Sequence, residues 1–269
     1  MVNFDNKEHY NVYDLKNVIS ALRGPGGCPW DAEQTHQSIR RNFLEEAYEA
    51  VEAIDEDDAS HLCEELGDVL MQVVFHSDIE NDAGRFNLDD VADMTVKKLI
   101  ARHPHVFADV EVSGSNEVID NWDVIKRVEK NQETVADSLS AVAKSLPGLW
   151  RAEKLQKKAA KAGFDWPDIS GATDKLYEEF DELIQAAQTG GDTEEELGDL
   201  LFSAVNVARF LNVDPEVALG RSCDKFIKRF QLLEEAALGQ GRAIEDMTLD
   251  ELDKLYDAAK KRLKNEVNG

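Results

Sequence analysis

The 269-residue chain carries 55 acidic and 30 basic residues, a formal net charge of −25, and 42% hydrophobic residues. It is long enough for one or two domains with a sizeable core, and too apolar to stay disordered. A field of that sign repels nucleic acid and anionic membrane alike, so neither is an expected partner, and an anionic substrate needs a metal and locally basic residues.

The N-terminus, MVNFDNKEHY, is polar and has no signal-peptide core. Cys28, Cys63 and Cys223 are odd in number, far apart and lack CxxC spacing, so reduced thiols and a cytoplasmic protein are expected. The glycine-rich stretch RGPGGCPWD (Arg23 to Asp31) offers backbone N–H groups to a phosphate but lacks the P-loop lysine. A turn that positions Trp30 is the plainer expectation.

The segment from Phe43 to Leu70, FLEEAYEAVEAIDEDDASHLCEELGDVL, spaces its apolar residues as Phe43, Leu44, Ala47, Val51 and Ile54, then Leu62, Leu66, Val69, Leu70 and on to Val73. That rhythm predicts two amphipathic helices. Glu46 and Glu49 stand three residues apart, so they point within about 60° of each other on a helix. Glu65 and Asp68 repeat the spacing on the next helix. Downstream, KLIARHPHVF sets Lys98 and Arg102 four apart, where one helix face presents two cations to phosphates or simply to solvent. His103 and His105 flank Pro104, which ends that helix, and no catalytic role is expected of them.

The pattern then recurs. Trp166 precedes a second acid cluster as Trp30 precedes the first. LYEEFDELIQAAQTGGDTEEELGDLL, Leu176 to Leu201, holds Glu179 and Glu182, a TGGDT turn, then Glu196 and Asp199. Glu46 and Glu179 lie 133 residues apart, Asp68 and Asp199 131, and the pair Lys98 and Arg102 precedes Lys225 and Arg229 by 127. That period is too long for a solenoid unit and fits two copies of one helical domain. The join is expected in KNQETVADSL, giving domains 1–130 and 131–269. Little alternates with period two, so the fold class is all-α: a tandem repeat of a helical-bundle domain with carboxylate-lined antiparallel helix pairs.

Four converging carboxylates cannot all stay ionised without a counter-charge. An oxygen-only shell suits Mg²⁺ or Mn²⁺ rather than a structural zinc. A single acidic cluster is ordinary on so acidic a surface; two copies with the same internal spacing argue for a shared task. Gly67 and Gly198 sit inside the two ELGD copies, where a helical glycine costs about 1 kcal/mol against alanine. Close approach by a backbone or a ligand is the expected reason. Aligning Asp68 with Asp199 sets Phe75 opposite Asn206, seven residues on and therefore on the acids' face. An asparagine there can hydrogen-bond a sugar or phosphate oxygen, and a phenylalanine cannot.

The ordered set EExxE, gap, ExxD, with GGCPWDAEQTH (Gly26 to His36), RHPHVFAD (Arg102 to Asp109) and KAGFDW (Lys161 to Trp166), resembles the MazG nucleoside triphosphate pyrophosphohydrolases in their two-domain form. The likeness covers nearly the whole chain. It implies an all-α homodimer that hydrolyses NTPs to NMP and pyrophosphate with Mg²⁺, a nucleotide-pool housekeeper with its main catalyst in the C-terminal domain. The family's metal ligands carry over to Glu179, Glu182, Glu196 and Asp199, with Glu46, Glu49, Glu65 and Asp68 as first-half counterparts. Its phosphate-binding bases carry over to Lys225 and Arg229. An aromatic-plus-lysine pair falls on Tyr256 and Lys260, where the family would have tryptophan, and is echoed by Trp122 and Lys126. Trp166 and Phe164 become base contacts, and the lysines of EKLQKKAAK lie near the nucleotide or on a solvated helix face. Glu178 and Glu195 are both candidates for the general base. The rival readings are a nucleotide-binding regulatory or interaction module without turnover, and a narrower pyrophosphatase for a deoxynucleotide or an alarmone.

Overall fold

A computed structural model describes residues 6–267, and among these there are helices, turns and irregular segments but no strand. In chain order the helices are α1 (Val12–Arg23), α2 (Pro29–Ala32), α3 (Arg40–Asp55), α4 (Ala59–Asp82), α5 (Leu88–Arg102), α6 (Pro104–Phe107), α7 (Ser115–Glu129), α8 (Val135–Ser140), α9 (Gly148–Lys161), α10 (Ile169–Thr189), α11 (Thr193–Phe210), α12 (Pro215–Gly239) and α13 (Leu249–Val267). Two compact units form, Met1–Lys126 and Arg127–Gly269. The division falls inside α7, a few residues before the join read from the sequence. Part of the acid excess has a plain structural use. Asp58, Asp168, Asp192 and Asp214 accept backbone N–H groups at the starts of α4, α10, α11 and α12, where a negative charge also complements the helix dipole.

In the first unit α3 and α4 form an antiparallel hairpin, and α1 packs on α4. Ile19, Ile39, Val74 and Phe75 make the core, backed by Leu15, Met71, Ile79 and Leu88. Arg23 pairs with Asp78, reaches Asp82 at 2.9 Å and lays its guanidinium 5.5 Å from the centre of the Phe75 ring. Phe75 thus fills the space beside α1 and α4.

The second unit repeats the hairpin with α10 and α11, and α9 packs on α11 as α1 packs on α4. The turn is set by Gly190, whose φ of 77° is left-handed and whose N–H closes onto the Ala186 carbonyl. Gln156 on α9 donates to the Phe202 carbonyl on α11 at 2.8 Å. Trp150, also on α9, donates its indole N–H to Asp214 at 3.0 Å. A second hairpin, α12 and α13, completes the unit, its turn held by Arg242 on Glu251 at 2.6 Å.

The glycine-rich loop after α1 is a helix stop and not a phosphate cradle. The N–H of Gly24 goes to the Ser20 carbonyl at 2.9 Å, that of Cys28 to Leu22 at 2.7 Å, and that of Gly27 to Gly24 at 3.0 Å. The donors a phosphate would need are spent on the end of α1. A Cβ at Gly27 would stand 2.3 Å from the carbonyl oxygens of both Ala21 and Leu22. Gly27→Ala must therefore open the loop; we expect a loss of about 2 kcal/mol or more in urea unfolding of the N-terminal unit, against a surface alanine substitution as reference.

Candidate active site

On α10 and α11 the i, i+3 spacing aims acids from both helices into one gap. One carboxylate oxygen each from Glu179, Glu196 and Asp199 lie within 4.8 Å of one another. Glu182 belongs to the same electrostatic group. Burial, then repulsion from Glu182, Glu179, Glu195 and Asp199, pushes the Glu196 carboxyl above its usual range. The α3–α4 hairpin holds the matching set, with oxygens of Glu46, Glu49 and Glu65 within 4.8 Å of one another. There burial, then Asp68, Glu49 and Glu65, pushes Glu46 up.

The two sets differ in how their charge is met. Lys175, one turn before Glu179, contacts both Glu178 and Glu179 at 2.7 Å, and these contacts raise its own pKa. Glu178 is thus held by a lysine. Glu195, the other general-base candidate, is exposed and lies among the repelling neighbours of Glu196. In the first unit His61 reaches Glu65 at 3.2 Å, while the second Glu65 oxygen is buried without a partner. An all-carboxylate donor set, raised pKa values and an orphaned buried oxygen all fit a hard divalent cation. No neighbour lies within 4 Å of a Cβ built at Gly67 or Gly198. The expected close backbone approach does not occur within the chain, and both glycines face open space.

Lys225, Arg229, Tyr256 and Lys260 come together between α12 and α13. Arg229 stacks 5.9 Å from the Tyr256 ring centre, and Lys225, Arg229 and Lys260 line one cleft of about 580 Å³. The first unit mirrors the arrangement. Arg102 and Lys126 lie 5.7 and 5.4 Å from the Trp122 ring centre, with Arg102 buried. Lys98, a turn earlier, is exposed.

Trp166 and Asn206 meet in a different place, a largely apolar cavity of about 500 Å³ that is also lined by Leu155, Phe164, Phe202 and Arg209. Asn206 is oriented there by Arg209, which donates to its Oδ1 at 2.8 Å and grips Asp165 from the other side at 2.9 Å. The hydrogen bonds from Arg209 hold the Asp165 carboxyl below its usual range. The cavity and the acids share α11. Asp199 and Asn206 are seven residues apart on one helix face, about 10 Å along the axis. A nucleotide reaches that far from base to phosphates. Sequence reasoning missed Asp165, Arg209 and Gln156, whose partners are remote in the chain. Lys175, four residues before Glu179, was open to a spacing argument.

The MazG nucleotide pyrophosphohydrolase domain matches twice, over residues 34–107 and 170–232, one match on each acid-bearing hairpin. The chain belongs to the MazG family. A MazG nucleoside triphosphate pyrophosphohydrolase/pyrophosphatase from Thermotoga maritima is 42% identical, the match covering 92% of this chain and 94% of that protein. A nucleoside triphosphate pyrophosphohydrolase from Escherichia coli K12 is 40% identical over 92% of this chain and 96% of its own. YabN of Bacillus subtilis, described as uncharacterized, is 48% identical over 94% of this chain, but the match spans only 52% of that protein. The chain thus covers nearly all of two MazG relatives and about half of a third.

Gly171 ties the Trp166 indole to the first turn of α10. A Cβ at Gly171 would meet the ring at 2.5 Å. Gly171→Ala should displace the indole and weaken nucleotide binding by about tenfold, as for loss of a base-stacking aromatic. Calorimetry with a nucleoside monophosphate checks this, with circular dichroism expected to stay unchanged.

Proposed function

We propose that the chain hydrolyses nucleoside triphosphates to nucleoside monophosphate and pyrophosphate in a metal-dependent reaction, with its main site in the C-terminal unit. The observation that carries this reading is one unit holding three complementary parts: a cluster of Glu179, Glu196 and Asp199 with Glu182 near enough to repel it, an unusually basic cleft, and an aromatic cavity beside the acids on α11. Glu179, Glu182, Glu196 and Asp199 would hold Mg²⁺, or Mn²⁺ in its place. When bound, such an ion supplies charge neutralisation on phosphate oxygens and a water of lowered pKa.

The chain's own residues do the rest. Trp166 and Phe164 stack on the base, and Asn206 orients the sugar or a phosphate oxygen with the amide that Arg209 has fixed. Lys225, Arg229 and Lys260 take up the charge on the departing pyrophosphate. A carboxylate outside the ligand set, Glu178, accepts the proton of the attacking water. Lys175 holds Glu178 in place for that transfer. Position 75 in the first unit bears a buried phenylalanine where Asn206 stands in the second, so the N-terminal quartet serves metal binding or structure rather than turnover.

A homodimer follows from what each hairpin leaves uncovered. Tyr177, Phe180, Ile184, Leu197 and Leu201 are exposed beside the acids, and Leu44, Val51, Leu66 and Leu70 form the matching stripe on α3 and α4. One hairpin cannot cover such a stripe; a second can, as in a four-helix bundle. Among the described residues no helix is long and apolar enough to cross a membrane, and the three cysteines are free, which supports a reducing cytoplasm.

EDTA should abolish pyrophosphate release, and Mg²⁺ or Mn²⁺ should restore it; full activity after rigorous metal removal would refute the assignment. Glu179→Ala should lower kcat by at least about a hundredfold, and Glu46→Ala should change it little, with folding checked by circular dichroism. The opposite pattern would reverse the assignment of the working half. Sedimentation at micromolar concentration should give a dimer of the 30.1 kDa chain; a monomer counts against the paired hairpins.

A further inference from the structure

The cleft between α12 and α13 holds more cations than the residues named so far. Arg221, Lys225, Lys228, Arg229, Lys260 and Lys264 line it, against a single acid, Asp224. This happens in a chain with 55 acids and 30 bases. Where acids are in such excess, an exposed base ordinarily finds one, and Lys97, Lys157 and Lys175 do so through i, i+3 or i, i+4 pairs. Arg221, Lys225 and Lys228 have no carboxylate partner among the described residues, although Asp224 lies three or four residues from Arg221 and Lys228 on the same helix. Lys260 has only a long contact to Asp257 at 3.8 Å. Unneutralised like charges such as Arg221, Lys225 and Lys228, gathered in one concave site, are costly unless a polyanion joins them.

The spacing says how long that anion is. The helices run antiparallel, with Arg229 against Tyr256 at one end. Stepping one turn along each helix brings Lys225 level with Lys260, then Arg221 level with Lys264. From Arg229 to Arg221 the cleft runs about 12 Å along α12. A pyrophosphate group touches only part of that length, and the triphosphate contacts assigned above use the Arg229 and Lys225 levels. The Arg221 level, with Lys264 across from it, is left over.

We propose that this outer level binds phosphates beyond the γ position, so that the site takes nucleoside 5′-polyphosphates longer than triphosphates. The inference rests on the hydrolase reading for its chemistry. Water forms a bond to the α-phosphorus, the α–β bridging P–O bond breaks, and the bond electrons leave with the chain. The water's proton passes to the carboxylate base. From adenosine 5′-tetraphosphate the products are AMP and tripolyphosphate, with no co-reactant.

Steady-state kinetics should show adenosine 5′-tetraphosphate favoured over ATP by about fivefold or more in kcat/KM, chiefly through KM, as for added charge-assisted contacts to phosphate. Arg221→Ala/Lys264→Ala should bring the ratio to about one, and Arg221→Lys should keep most of it. A tetraphosphate no better than ATP, or a preference that survives the double substitution, overturns the proposal. Calorimetry with inorganic tripolyphosphate and pyrophosphate separates this from failure of the hydrolase reading, since it needs no turnover. Tripolyphosphate should bind more tightly by a similar factor in the wild type and not in the double variant. Equal binding overturns the proposal even if NTPs are hydrolysed. The expected difference sustains the long cleft even if none is.

Discussion

Four carboxylates held in one gap repel each other, and the rest of the structure is arranged to keep them there. A lone helix could present two acids at i, i+3 and let them swing apart. Two antiparallel helices joined by a tight turn cannot separate so freely. Gly190 closes the α10–α11 turn, Asp192 anchors the first N–H groups of α11, and Gln156 holds α11 from behind at Phe202. The cost of crowding shows in the raised carboxyls of Glu196 and Glu46. A divalent cation bound there, as proposed, would relieve that cost.

The same logic runs with opposite sign on α12 and α13. Six bases gather in a cleft whose lining holds one acid, Asp224. A metal–polyphosphate carries both kinds of charge. Under the proposed function it would offer cation to one hairpin and anion to the other, and neither hairpin alone would discriminate it from a free ion. The net charge of −25 would then act as a filter, because an anion without its metal meets a repulsive surface before it meets the cleft.

Periodicity carried the hairpins, three acids of each expected quartet and the Lys225–Arg229 pair into view, because each is a local pattern on one or two consecutive helices; Asp68 and Glu182 fall outside the two clusters. The repeat itself was legible because Glu46 and Glu179, and Asp68 and Asp199, keep nearly one offset. What escaped was tertiary. Asp165 and Arg209 are 44 residues apart and nothing local links them. Nothing local in the sequence singles out Gly171, and Gly27 stood out only as part of a turn, yet each lets indole or backbone approach to 2.5 or 2.3 Å of a would-be Cβ. Gly67 and Gly198 looked important for the same reason, and space stands open at both. A glycine's letter shows that room is needed or tolerated; only packing shows which.

The two units show which parts of the site depend on one another. Both keep the hairpin, the acids and a guanidinium stacked on an aromatic ring, Arg102 on Trp122 and Arg229 on Tyr256. They part at the helix packed behind the hairpin. In the first unit Arg23 reaches from α1 to Asp78 on α4 and caps a phenylalanine; in the second the charges are exchanged, Asp165 after α9 meeting Arg209 on α11. The exchange has a consequence for shape. Arg23 comes from outside and lies over a filled core at Phe75, whereas Arg209 turns back along its own helix to orient Asn206 and leaves a cavity beside Trp166. The acid cluster needs only the hairpin, and both units retain it. Holding a nucleoside needs empty space, and empty space next to a helix hairpin forfeits packing. The second unit keeps such a void open, and the first recovers the lost contacts by closing it with a ring.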